Sequence, residues 1–164
     1  MSGRCWKFKD NISTDEITPG RYVGLRSNLP ELAKHTLEDA RKEFPLEVKL
    51  GDFVVAGRNF GMGSSREHAP IVIKMCGVRA VLAQSFARIF YRNAINIGLP
   101  AIVCDTTKIE EGDLLELRLS DGVVENVTKK AQITFPKMSK TMESILQEGG
   151  LIPYVEKHGD LLLA

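Results

Sequence analysis

Residues 53–70 read FVVAGRNFGMGSSREHAP. An apolar run of four is followed by a loop holding Gly57, Gly61 and Gly63. Ser64, Ser65, Arg66, Glu67 and His68 come next, ahead of an apolar helical stretch that runs to about Cys76 and stops at Gly77. The same grammar repeats downstream. Residues 80–83 (AVLA) form a second apolar strand, 86–97 a helix stopped by Gly98, and 101–104 (AIVC) a third strand. Short strands that are apolar on both faces, alternating with helices, indicate a βαβαβ unit with a parallel sheet. The following stretch differs: residues 114–119 and 123–128 flank Ser120-Asp-Gly122, a hairpin signal. Residues 132–135 add a strand and 140–148 a helix ending at Gly149-Gly150. The fold class is α/β, with a parallel βαβαβ core and an antiparallel appendage in one domain spanning 1–164.

Upstream, residues 5–25 form a mixed loop and strand region punctuated by Pro19-Gly20 and Gly24. Leu29, Leu32, Ala33, Leu37, Ala40 and Phe44 then fall on one apolar stripe of a 3.6 period. That spacing predicts a continuous helix, capped by Asn28, with Pro30 and Glu31 in its first turn and Pro45 just beyond its end.

The glycine-rich loop lies between the carboxyl end of a strand and the amino end of a helix, where open parallel sheets bind ligands. Gly61 and Gly63 let backbone N–H groups approach an anion, Arg66 adds a planar fork for a carboxylate or phosphate, and the helix amino end favours negative charge. Ser64 and Glu67 have the spacing of a capping box, although Pro70 would then lie beyond the first turn. The spacing alone admits both an anion site and a plain turn. It is neither a phosphate-binding Walker loop, lacking the Lys-Ser/Thr ending, nor a dinucleotide fingerprint, lacking the third glycine. Ser64 and His68 stand four apart, but no G-x-S-x-G context or orienting acid supports a hydrolase.

Composition sets the outer bounds. With 22 basic and 21 acidic residues in 164, the charge balance argues against nucleic acid or an anionic membrane as the main partner. No apolar run reaches the roughly 18 residues of a membrane span, and MSGRCWKF lacks the core of a signal peptide, so a cytoplasmic chain is expected. Cys5, Cys76 and Cys104 are widely spaced, as are His35, His68 and His158. Neither a disulfide framework nor a metal site within the chain is expected, and Cys76 and Cys104 read as small buried hydrophobes.

GRNFGMGSSREHAP, the later QSFARIFYRNAINIGLP (84–100) and the earlier DNISTDEITPGRY (10–22) together resemble the swivelling domain of the aconitase superfamily over most of residues 6–104. At this length the resemblance is to the free-standing small subunits of the isopropylmalate isomerase branch, which Ala69-Pro70 also favours. It implies a three-layer β/β/α aconitase-type swivelling domain. It further implies a large-subunit partner, in a heterodimer or heterotetramer, that carries a [4Fe–4S] cluster, with no cofactor bound by this chain. The implied reaction is a hydro-lyase isomerisation of 2-isopropylmalate to 3-isopropylmalate through isopropylmaleate, a step of leucine biosynthesis. Homoaconitase small subunits, with a tricarboxylate substrate, are the nearest alternative, and dual specificity is also open. A stand-alone anion-binding module is the reading outside this class.

By the same resemblance, Ser64 is the catalytic base, Gly63, Ser65 and Arg66 bind substrate, and no residue binds metal. Glu67 and His68 are read as structural. Specificity is implied for the loop at Tyr22, Val23, Gly24, Leu25, Arg26 and Ser27, where Val23 and Leu25 suit an isopropyl group and Arg26 an extra carboxylate. The family's further arginine, just before the DNIS string, is absent from Cys5-Trp6-Lys7-Phe8. Arg88, Arg92 and Asn93 are read as structural or as subunit contacts. Self-association of the isolated chain through an apolar face is a further expectation.

Overall fold

The computed structural model describes residues 2–159. Seven strands form one sheet in the order β4-β3-β2-β1-β5-β6-β7. They are β1 (Gly3–Lys7), β2 (Phe53–Val55), β3 (Ala80–Ala83), β4 (Ala101–Val103), β5 (Leu114–Arg118), β6 (Val123–Asn126) and β7 (Ala131–Thr134). β1 to β4 are parallel neighbours, and β5 to β7 form an antiparallel meander that joins the edge of β1. The parallel half therefore contains one strand more than the apolar runs indicate. β1 reads GRCWK, and its flanking charges conceal a strand whose Cys5 and Trp6 are both fully buried.

Alternation along these strands separates two cores. Trp6, Val54, Val81 and Ala83 point to one face and pack with Phe44, Phe60, Val72 and Phe90. Cys5, Phe53, Val55, Leu82 and Ile102 point to the other and meet Leu115, Val124 and Ile133 of the meander. The antiparallel half has curled over the second face of the parallel half, while helices cover the first. The layering is β/β/α, and the near-continuous apolar strands are explained by burial on both sides.

The helices are α1 (Thr14–Ile17), α2 (Leu29–Ala33), α3 (Phe44–Glu47), α4 (His68–Met75), α5 (Arg88–Asn96), α6 (Lys140–Gln147) and α7 (Leu151–His158). The continuous helix expected from Leu29 to Phe44 is broken. α2 ends at Ala33, and a series of turns follows in which Leu37 adopts φ +57° and its N–H donates to the Ile17 carbonyl. Leu32, Leu37 and Phe44 are nevertheless all buried, so the stripe marks a core-facing side without a single helix carrying it. Pro45 falls in the first turn of α3 rather than stopping a helix. α7 has no counterpart in the periodicity. Its Pro153 sits in the first turn, where a missing N–H costs nothing, and Tyr154 packs with Ile95, Ile145 and Leu146 under α5 and α6.

Candidate active site at the carboxyl edge of the parallel sheet

Three chain segments leave the carboxyl ends of β1, β2 and β3 side by side. They continue the sheet's hydrogen bonding beyond the strands. The N–H of Asn11 donates to the Arg58 carbonyl, that of Gly61 to Ile12 and that of Thr14 to Met62, which ties the glycine-rich loop to the DNIS segment. On its other side Phe60 N–H donates to Ser85 O, Ala87 N–H to Phe60 O, and Asn59 N–H to the Ser85 hydroxyl at 2.8 Å. The loop is thus a braced continuation of the sheet, with Phe60 fully buried beneath it against Phe90 at 5.1 Å.

Two glycines are required by this geometry. Gly61 has φ +81°, and a Cβ there would lie 2.3 Å from Phe90 Cγ. Gly63, at φ +98°, turns the chain so that Ser64 is exposed. The Ser64 carbonyl accepts from Thr14 Oγ1 at 2.9 Å, which fixes the backbone beneath the hydroxyl.

The capping box expected at Ser64 and Glu67 does not form. α4 begins at His68 with Glu67 as its N-cap and no side-chain cap, because Arg66 N–H instead turns back to the Ser64 carbonyl at 2.8 Å. The late start brings Pro70 into the first turn, where it is tolerated. A capping box does exist, at Ser13 and Glu16 of α1: Glu16 N–H donates to Ser13 Oγ at 3.1 Å and Ser13 N–H to Glu16 Oε2 at 2.9 Å. The S-x-x-E spacing within STDE was the available signal.

Arg66 is engaged within the chain. Its Nη2 lies 2.8 Å from Asp15 Oδ1, and its Nη1 donates to the Thr18 carbonyl at 2.5 Å. His68 is half-buried, and burial first, then the positive fields of Arg66 and Arg26, hold its pKa below the ordinary value, with Glu67 opposing. The imidazole is therefore favoured in its neutral form beside two guanidinium groups.

A cleft of about 340 Å³ opens here. Gly63, Ser64 and Arg66 line it together with Thr14, and the facing wall comes from Arg88, Ile89 and Asn93 on α5. Ser65 is exposed and is not among the cleft's walls. Arg88 and Asn93, read from sequence as structural or as subunit contacts, share the cleft with Ser64. Only the pairing of the β2 and β3 loops places α5 there, and no local spacing signals it. The expected specificity loop forms a 3-10 turn, Gly20–Leu25. Tyr22 stacks on His35 with ring centroids 3.8 Å apart, the Arg21 guanidinium lies 4.8 Å from the Tyr22 ring centroid, and Leu25 packs on the core. Val23, Gly24, Arg26 and Ser27 are exposed. The segment does not line the cleft in this chain. It adjoins it through the Thr18 carbonyl on Arg66 and the field of Arg26 on His68. Lys7 points elsewhere, its Nζ donating to the Thr106 and Ile109 carbonyls.

The cysteines do not compose a cluster site. Cys5 and Cys104 are buried in the core between the two sheet halves, and burial pushes both thiols up to about 12. Cys76 lies on the helix side, half-buried, with its thiol also raised by burial. Such thiols are protonated at neutral pH. Among the described residues no group of three or more His, Cys, Asp or Glu is placed to hold a metal ion, and no helix is long and apolar enough to cross a membrane.

Residues 7–106 match the family described as the aconitase C-terminal domain. The 3-isopropylmalate dehydratase small subunit 2 of Archaeoglobus fulgidus is 60% identical over 161 residues, covering 98% of each chain. The chain belongs to the aconitase family, among its 3-isopropylmalate dehydratase small subunits. The corresponding small subunit 1 of Thermotoga maritima is 55% identical over 160 residues, covering 97% of this chain and 96% of that one. A crystal structure of 3-isopropylmalate dehydratase from Methanocaldococcus jannaschii superposes with a TM-score of 0.91 at 45% identity, covering 96% of this chain and 94% of that one. The α/β architecture with its curled mixed sheet is the aconitase-type small-subunit fold.

Proposed function

We propose that this chain is the small subunit of a heteromeric hydro-lyase that interconverts 2-isopropylmalate and 3-isopropylmalate through isopropylmaleate, and that residues 1–164 act as a single swivelling domain. The observation that supports it best is the Ser64 cleft, in a chain that matches dehydratase small subunits end to end. The relatives' names favour isopropylmalate over a homoaconitate-type substrate.

The chemistry divides between two chains. Dehydration removes a proton from the carbon next to one carboxylate and a hydroxide from the neighbouring carbon. A [4Fe–4S] cluster held by the large subunit would supply the Lewis acidity needed for departure of the hydroxide; in this chain Cys76 lies on one face of the sheet and Cys5 and Cys104 on the other. Ser64, which lines the cleft just after the turn at Gly63 and whose carbonyl accepts from Thr14, takes the proton at its Oγ. The negative charge that develops on the substrate carboxylate is met by Arg66, whose remaining N–H groups are oriented by Asp15 and the Thr18 carbonyl. Serine is too weak an acid to ionise in water at neutral pH, so its activation requires a closed site from which the large subunit excludes solvent. Ser65, beside Arg66, is available to a second substrate oxygen on closure. A half-site of this kind has no activity alone.

The test is anaerobic assay of the complex reconstituted with a cluster-loaded, aconitase-like large subunit from the same source. Formation of the unsaturated diacid is followed by its ultraviolet absorbance. Turnover of 2-isopropylmalate and little of homocitrate is expected. Efficient turnover of homocitrate alone would move the substrate assignment, and failure to form any complex would return the chain to an anion-binding module.

A further inference from the structure

We propose that Arg88 is a substrate-binding residue that receives one of the two carboxylates of the acid turned over at Ser64; the assignment rests on the proposed function above and names its second charge contact. The cleft carries two guanidinium groups, Arg66 and Arg88. The charge of Arg66 is already balanced by Asp15 at 2.8 Å, and one of its nitrogens is committed to the Thr18 carbonyl at 2.5 Å. A dianionic acid entering the cleft would therefore meet one compensated cation and still need another. Lys7, which stands just ahead of the DNIS segment, does not supply it, because its ammonium is held by two backbone carbonyls away from the cleft.

Arg88 has the properties required. It is exposed, it lines the same cleft as Ser64, and no hydrogen bond or ion pair to another described residue engages it. It is also placed against local electrostatics. It occupies the first position of α5, whose first turn contains no acidic residue, so the helix field there disfavours a cation. Arg21 and Arg41 are by contrast paired, with Glu38 and Asp39 and with Glu43 and Glu111, and of the described arginines without an ion-pair partner only Arg88 lines the Ser64 cleft. A cation that no neighbour compensates, facing a nucleophile across a cleft of about 340 Å³, is a receptor for an incoming anion.

The experiment uses the reconstituted complex with wild-type, Arg88→Ala and Arg88→Lys small subunits. KM and kcat for 2-isopropylmalate are measured, alongside the affinity of each variant for the large subunit. Loss of one charge-assisted contact predicts a KM raised by about ten- to a hundred-fold in Arg88→Ala, with kcat changed far less, and partial recovery in Arg88→Lys. Subunit affinity should be unchanged. A wild-type KM in Arg88→Ala would overturn the assignment while leaving the proposed function intact. So would a defect abolished by excess small subunit, which would make Arg88 a subunit contact. An inactive wild-type complex would overturn the proposed function, and this assignment with it.

Discussion

Replacing Gly61 by alanine tests whether the glycine-rich loop is braced as described. The new Cβ would stand 2.3 Å from Phe90 Cγ and 2.4 Å from Phe90 Cβ, far inside the ordinary contact distance of roughly 3.5–4 Å. Phe90 cannot withdraw easily, because it is 2% exposed and wedged edge-on against Phe60. The left-handed backbone at φ +81° adds strain of about 1–2 kcal/mol, and overpacking adds about 1–3 kcal/mol, giving a loss of about 2–5 kcal/mol. Gly63→Ala is the control. It carries similar backbone strain at φ +98°, but its Cβ would meet nothing closer than Thr14 Oγ1 at 3.5 Å, so about 1–2 kcal/mol is expected. Urea unfolding of the isolated subunit, followed by fluorescence of its single, fully buried tryptophan, Trp6, reads both. With a denaturant slope of roughly 2 kcal/mol/M, Gly61→Ala should lower the midpoint by roughly 1–2.5 M. Equal shifts in the two variants would refute the claim that Phe90 holds the loop from below.

Other expectations follow from the same packing. Asp52 is buried and accepts from Arg4 N–H at 3.1 Å, Trp6 Nε1 at 2.9 Å and Lys49 N–H at 2.9 Å, so Asp52→Ala should cost about 3 kcal/mol in urea unfolding by leaving the buried Trp6 donor and two part-buried backbone donors without their acceptor. His68 should titrate below about 6.5 by NMR in the folded chain, and Arg66→Ala should raise its pKa. Because the folded value is depressed, its contribution to stability is complete above the unfolded pKa and is lost as pH falls through the folded one; His68→Gln should flatten that part of the pH–stability profile. Tyr22→Ala, which removes the stack on His35, should destabilise by about 1–2 kcal/mol, whereas Val23→Ala, at a side chain 57% exposed, should change stability by less than about 0.5 kcal/mol.

What was legible in the sequence was whatever local periodicity encodes. Three of the four parallel strands, both hairpin strands around Gly122, α5 and α6 all lie within a residue or two of their expected places, and α4 ends where expected but starts later. β1 was legible only as part of a mixed loop and strand region over residues 5–25, because GRCWK is buried by neighbours on both sides and that coverage is tertiary. The stripe from Leu29 to Phe44 was a true core face, yet a long-range bond from Leu37 to Ile17 competes with helix continuation and wins. At the site, GMGSSREH marked the loop between β2 and α4, where Gly61 and Gly63 both adopt positive φ. It suggested a capping box at Ser64 and Glu67 that does not form, whereas the one present lies at Ser13 and Glu16 of α1. Arg66 looked like a free fork in sequence, and Asp15 and Thr18 become its partners only when the β1 and β2 loops lie side by side. Arg88 and Asn93 reach the cleft because the β2 and β3 loops pair in the same way.

The central claim is that Ser64 is the base contributed by this chain. The most direct measurement is kcat for 2-isopropylmalate in the intact, cluster-loaded complex carrying Ser64→Ala, with subunit affinity and KM determined in parallel. Ser64 is exposed and its fold-bearing contact is through its carbonyl, which alanine retains, so assembly should be unaffected. The account predicts a fall in kcat of about 10²–10⁴-fold at near-constant KM. A complex that assembles normally and keeps kcat within about tenfold of wild type would contradict it.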